Sequence, residues 1–132
     1  MKRIEVSAGI IVKDNKIFIT QRGYGNYKDY WEFPGGKLEV NETPREALHR
    51  ELKEELNIKV NIIKELKVIE WDYPEYHVTM HAFICSLISD HIELLEHEDA
   101  KFITKDKLKE VNFLESDFLL LDDIINYIDN LN

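Results

Sequence analysis

The sequence has a single cysteine, Cys85, inside the apolar run AFICSL, so an internal disulfide is excluded and a buried, inert thiol is expected. No stretch approaches the ~20 consecutive apolar residues that a membrane span needs. The opening MKRIEVSAGIIV has neither an uninterrupted apolar core nor a small-residue cleavage site, so it does not read as a secretory signal and the expected location is the cytoplasm. With three prolines, five glycines and plentiful aromatics, neither disorder nor a fibrous repeat is indicated. Positive charge is also short: 17 Lys and Arg face 26 Asp and Glu, a net charge of -9. Such a field repels a polyanion and argues against a nucleic-acid polymer as partner, while small phosphorylated ligands stay open if a metal ion arrives with them.

What remains is 132 residues with no repeat, linker or low-complexity tract, which suits one domain over residues 1–132. IEVSAGIIV and IFIT flank the turn KDNK and predict a hairpin over residues 4 to 20. A loop, GYGNYKD, then leads to the short aromatic strand YWEF, which Pro34 halts before Gly35 and Gly36. Those glycines permit a close backbone approach. Two long strands follow later, IKVNIIKELKVIEWDY and HVTMHAFICSLI, joined at PEY, and His91 to Glu98 forms a polar loop. KFI predicts another strand, Thr104 the cap of a short helix through Leu108, and Ser116 the cap of a final helix, DFLLLDDIINYIDNL.

One helix is strongly marked. Thr43-Pro44-Arg45-Glu46 is a capping box with proline at the first helical position, and Asn57, tolerant of the left-handed conformation, ends the segment. At ~100° per residue, Leu48, Leu52 and Leu56 fall in one stripe, with Glu51, Glu54 and Glu55 along its flank. Glu51 and Glu55 are a like-charge i,i+4 pair, costing roughly 0.2 to 0.5 kcal/mol even when exposed. Arg50 is spaced to pair with Glu54 and Lys53 softens the field, yet neither neutralises all three carboxylates. A hard divalent cation would, because Mg²⁺ takes oxygen ligands and keeps water and phosphate in its shell. The bland alternative is a solvated charged helix face. Against it stands the preceding loop, where the Gly-Gly turn, Lys37, Glu39 and Glu42 offer amides, a lysine and carboxylates to one metal-phosphate unit.

At these residues the sequence resembles the Nudix hydrolases. Gly36 is followed after five residues by Glu42, and after seven more by Arg50-Glu51-Leu52-Lys53-Glu54-Glu55-Leu56-Asn57-Ile58. Only the late glycine of the motif departs, replaced by Asn57. The similarity extends over nearly the whole chain and lies nearest the MutT-type branch, through AGIIV and FITQR, WEFPGGK, an acidic-His segment and the LESD ahead of the last helix. It implies an α/β Nudix fold, a mixed β-sheet sandwiched between α-helices.

The resemblance further implies hydrolysis of a nucleoside triphosphate such as 8-oxo-dGTP to monophosphate and pyrophosphate, with Mg²⁺, or Mn²⁺ in its place. By position, Glu51, Glu54 and Glu55 with a carbonyl of Gly35 or Gly36 are the expected metal ligands, and Arg50 orients Glu51 or Glu54. Glu96 is the expected additional ligand or general base from a distant loop, with Glu98 close behind. Arg22 resembles a phosphate or base contact, Phe33 a cleft residue and Asp117 the base reader, with Gly35, Gly36 and Lys37 beside the phosphates. Core packing competes for Phe33, and a favourable charge in a first helical turn competes for Asp117. Asp117 stands where asparagine is found in MutT, and a carboxylate accepts only, which keeps CTP, dCTP or a broad range in view. Tyr76, where the branch often has a basic residue, points the same way. A non-catalytic nucleotide-binding sensor is a further alternative, disfavoured by the intact glutamates. So is a zinc site at His77 and His81, disfavoured because four residues along a strand span about 13 Å. The chain is expected as a monomer or homodimer.

Overall fold

The computed structural model describes residues 2–89 and 91–131. β1 (Lys2–Lys13) and β2 (Lys16–Gln21) make the expected hairpin, turning through Asp14 and Asn15, both left-handed at φ 53° and 62°. Asn and Asp accept that conformation more readily than other side-chain-bearing residues. β3 (Trp31–Glu32) and β4 (Gly35–Lys37) flank Pro34, and α1 (Pro44–Leu56) follows. β5 (Val60–Asp72), β6 (Tyr76–Leu87) and β7 (Asp99–Thr104) complete the strands, and α2 (Glu115–Phe118) and α3 (Leu121–Asp129) close the described chain.

The strand order is β3-β2-β1-β6-β5, with β4 paired to β1 and β7 to β2. β1 runs parallel to β6 from Lys2↔Tyr76 to Ile11↔Cys85, the other pairings between these strands are antiparallel, and Trp31 makes an isolated parallel bridge to Phe113. On its other edge β1 pairs with β4 through Val6, Ser7 and Ala8, then with β2 through Val12 and Lys13.

Alternation along β1 feeds two cores. Ala8 and Ile10 pack with Leu121, Ile124 and Ile128 of α3, while Ile11 packs with Leu48, Leu52 and Leu56 of α1. The mixed sheet is therefore sandwiched between helices, as the resemblance implies. The α1 stripe is fully buried, and each leucine contributes about 1.5–3 kcal/mol by leaving water. Thr43 accepts from the Glu46 N–H while the Glu46 carboxylate accepts from the Thr43 N–H, and Asn57 ends the helix at φ 53°, ψ 44°.

Two expectations at the C-terminal end need correction. Thr104 precedes a 3₁₀ helix, Lys105–Glu110, in extended conformation but gives no side-chain capping bond, and the helical turn runs past Leu108. The final helix is two, and Ser116 caps neither: it is buried within α2, which Leu114 precedes. The run FLLL cannot bury all its members on one face, so Leu120 enters the core and Phe118 and Leu119 stay exposed, breaking the helix between them and Leu121. The Ser116 hydroxyl finds its partner across the fold in Tyr73.

Candidate active site

The site begins where β4 lies against β1. A Cβ on Gly35, at φ 154°, would stand 1.9 Å from the Ser7 carbonyl oxygen, and one on Gly36 would stand 2.4 Å from the Glu51 carboxylate. Glycine at both positions lets strand backbone and helix carboxylate meet. The capped start of α1 and its buried leucine stripe then fix which flank the glutamates present.

Arg50 organises that flank. Its Nε and Nη2 donate to the two oxygens of Glu42 at 2.8 and 2.9 Å, and Nη1 donates to Glu51 at 2.8 Å and Glu54 at 3.1 Å. Nη2 also donates to the Lys37 carbonyl at 2.9 Å. The guanidinium thus serves both glutamates that the sequence offered as alternatives, and it clamps Glu42 in addition, a bidentate role no spacing argument assigned. Its bonds hold the Glu42 carboxyl down to about 2, and Glu42 in turn raises the Arg50 pKa.

Glu55 lies deeper. Its Oε2 is buried without a hydrogen-bond partner, with His97 Nε2 at 3.5 Å, and His97 Nδ1 is orphaned likewise. Burial, followed by the hydrogen-bonded carboxyl of Glu51 and then by Glu32 and Glu96, pushes Glu55 far above the usual carboxylate range. Burial pushes His97 down. The loop that carries His97 and Glu96 is tied to the end of α1, where Glu93 N–H donates to the Leu56 carbonyl and Leu95 N–H to that of Glu55.

These groups open on a cavity of about 390 Å³. Glu51, Glu55 and Glu96 line it, as do Gly35, Gly36 and Lys37, and also Arg22, Phe33 and Asp117. Glu54 and Arg50 stand outside its lining; Glu54 is 56% exposed and held by Arg50. Glu98 also stands outside, within 3.5 Å of Lys28 Nζ. Among the described residues no three carboxylate or imidazole groups converge to ligand distance as placed. The donor chemistry nevertheless suits a hard divalent cation: an orphaned, buried carboxylate oxygen, a second carboxylate beside it, and a glycine backbone that a Cβ would push away.

Farther from the box, Arg22 donates from Nε to Glu32 at 3.1 Å and from Nη1 to the Asn26 carbonyl at 3.3 Å. Phe33 is both cavity lining and core: it is 2% exposed and stacks on Phe113 with centroids 5.0 Å apart. Its N–H donates to Asp117 Oδ2 at 2.8 Å. Asp117 is buried, and desolvation followed by the nearby Glu32 carboxylate pushes it up to about 7. His77 is bound between Asp72 and Glu70 at 2.6 and 2.7 Å, whereas His81 Nε2 faces Glu5 at 3.7 Å. They share no ligand site.

Sequence reasoning missed Glu32, His97, Tyr73 and Ser116, all of which line the cavity. For Glu32 the signal is register, since β2 pairs Thr20 with it and so brings Arg22 alongside. For His97 it is adjacency to Glu96. Tyr73 and Ser116 carry no local signal.

Fold and site together define an enzyme that hydrolyses phosphoanhydride bonds, with carboxylates, a lysine and glycine backbone gathered on one cavity. The NUDIX domain model matches residues 3–122, and the chain belongs to the Nudix family, whose hydrolases use divalent metal ions. It is 45% identical over 85 residues to the 8-oxo-dGTP diphosphatase of Proteus vulgaris, covering 63% of this chain and 76% of that one. It is 36% identical over 114 residues to the 8-oxo-dGTP diphosphatase of Buchnera aphidicola subsp. Schizaphis graminum, covering 86% of each. The CTP pyrophosphohydrolase of Escherichia coli is 39% identical over 95 residues, 62% of this chain and 70% of that protein. The solution structure of the E. coli ORF135 protein superposes with a TM-score of 0.82 at 29% identity, over 96% of this chain and 91% of that one.

Proposed function

We propose that this protein is a Mg²⁺-dependent nucleoside triphosphate pyrophosphohydrolase acting on 8-oxo-dGTP, working as one cytoplasmic domain, monomeric or homodimeric, that clears oxidised nucleotides from the pool. The observation that carries this reading is that one cavity is lined both by Glu51, Glu55 and Glu96 and by Phe33 and Asp117. Phosphates and base can be held at once.

Glu51, Glu54 and Glu55 with the Gly35 or Gly36 carbonyl would hold Mg²⁺, or Mn²⁺ in its place. When bound, the ion supplies charge neutralisation of the phosphate oxygens and of the departing pyrophosphate. Arg50 positions Glu51 and Glu54 through its fork, and Lys37 and Arg22 bind phosphate oxygens. Glu96 takes the proton of the attacking water as its oxygen bonds to phosphorus and the anhydride bond to pyrophosphate breaks. Phe33 and Asp117 receive the base.

The test is product analysis with Mg²⁺: pyrophosphate and 8-oxo-dGMP from 8-oxo-dGTP, and loss of turnover in Glu54→Gln. Orthophosphate as the product refutes the bond assignment, and unchanged turnover in the variant refutes the metal assignment. CTP or dCTP is the competing substrate, favoured by the similarity to the E. coli CTP pyrophosphohydrolase. Equal or faster turnover of CTP would replace 8-oxo-dGTP with it.

A further inference from the structure

Three hydroxyl and carboxyl groups form a directed chain beneath the cavity. Tyr73 Oη accepts from the Ser116 N–H at 2.9 Å, and it lies 2.9 Å from Ser116 Oγ. Ser116 Oγ lies 3.2 Å from Asp117 Oδ1. Each hydroxyl has one proton. With the Ser116 proton on Asp117, the Tyr73 proton must point at Ser116 Oγ, so every donor runs toward the carboxylate. The other oxygen, Oδ2, already accepts from the Phe33 N–H. Both Asp117 oxygens therefore receive protein donors, and each keeps a lone pair for the ligand. The residues of the chain are buried, Tyr73 at 4%, Ser116 at 4% and Asp117 at 4% exposed, so bulk water does not compete for these bonds.

We propose that Tyr73 and Ser116 are positioning residues that hold Asp117 as a double acceptor, and thereby select a base edge with two adjacent N–H donors, the guanine type. A guanine edge presents N1–H beside its exocyclic amine, matching two acceptors. Cytosine and adenine present an amine beside a ring acceptor, which would face a carboxylate oxygen with no proton between them. They match a protonated carboxyl, one donor beside one acceptor. The distinction matters because burial and Glu32 leave Asp117 close to the balance point, opposed by Arg22 and by its own donors. The other ionisable groups facing it are Tyr73 and Tyr76.

This inference rests on the nucleotide reading of the cavity, and its test separates the two by using binding. Calorimetry of the full chain with the mononucleotides dGMP, 8-oxo-dGMP and dCMP gives the selectivity without turnover. Wild type is expected to bind the guanine-type ligands at least about tenfold tighter than dCMP, about 1.4 kcal/mol. In Tyr73→Phe, which keeps the ring, that ratio falls about tenfold, and dCMP binding at pH 8 is stronger than in wild type while its gain from pH 8 to pH 6 is shallower, because a carboxyl that has lost its donors is already protonated at the higher pH. Ser116→Ala gives the same change, and the double variant adds nothing to it, as members of one chain require. Thermal unfolding confirms that each variant folds, and either single variant suffices if the other does not. A ratio unchanged in the variants, equal losses for all ligands, or a wild type that favours dCMP overturns the inference. Absence of hydrolysis alongside the expected binding ratios sinks only the catalytic reading.

Discussion

At the scale of single residues, Arg50 carries more of the site than its place in a charged run suggests. Five hydrogen bonds reach Glu42, Glu51, Glu54 and the Lys37 carbonyl from one planar group. Lysine cannot reproduce that fork, because an ammonium is a point charge with three donors on a flexible stem. Arg50→Lys is expected to keep the fold and lower kcat roughly ten- to hundredfold, the usual loss when a group orienting metal ligands is removed. Steady-state kinetics with unfolding curves checks this. Gly36 is equally exacting: a methyl there would stand 2.4 Å from a Glu51 carboxylate oxygen. Gly36→Ala should therefore displace Glu51 and cost roughly a hundredfold in kcat, as misplacements of about 1 Å do. Retained kcat would show that Glu51 has room to move without consequence.

Elements show what local sequence can and cannot specify. α1 was legible from end to end because each of its signals is local: the Thr43–Glu46 box, the leucine stripe, and Asn57 standing where the family has glycine. Asn57 does glycine's conformational work at φ 53° and adds bonds from Lys53 Nζ and to Glu93. Asn57→Ala should lower stability by roughly 1–2 kcal/mol, since alanine lacks those bonds and resists the left-handed region. Asn57→Gly should recover the conformational part, and thermal unfolding of the pair separates the two contributions. The C-terminal helices were misread because Ser116 and Leu120 answer to partners far away in sequence. Tyr73 and Ser116 joined the cavity without any local signal, for the same reason, whereas Glu32 is signalled through its pairing with Thr20 of β2. Elsewhere β5 and β6 are tied by His77, whose ring bonds Glu70 and Asp72. Those bonds, Glu70 first, raise the His77 pKa. A raised value means the charged ring stabilises fully below about 6.5, its ordinary value, and the contribution fades as pH rises through the folded value. The Tm gap between wild type and His77→Gln should therefore shrink from pH 6 to pH 9; a constant or widening gap contradicts the clamp.

The molecule as a whole carries a net charge of -9 and still buries carboxyl groups around one cavity, an arrangement that opposes its own folding. Glu55 shows the conflict most sharply. Its folded pKa is raised, so ionisation is easier in the unfolded chain, and stability is lost as pH climbs from the ordinary carboxylate value toward the folded one. In EDTA the Tm is expected to decline between pH 5 and pH 9. With the proposed ligand set, divalent cation should reverse the sign of the effect, because it would bind the deprotonated carboxylates of the native state and would have no such cluster to bind in the unfolded one. At about 100 times its Kd it should add about 2.7 kcal/mol, on the order of 10 °C in Tm for a domain of this size. The gain should be larger at pH 9 than at pH 6, where protons compete for Glu55. His77 and Asp117 contribute to the same downward drift, so the assignment needs a variant confined to Glu55. Glu55→Gln keeps the side chain's shape but removes the ionisation. In that variant the decline in EDTA should flatten to the part owed to His77 and Asp117, and the stabilisation by Mg²⁺ should largely vanish. A Glu55→Gln protein that still gains the full Tm shift from Mg²⁺ would place the cation away from α1 and detach the acidic flank from catalysis.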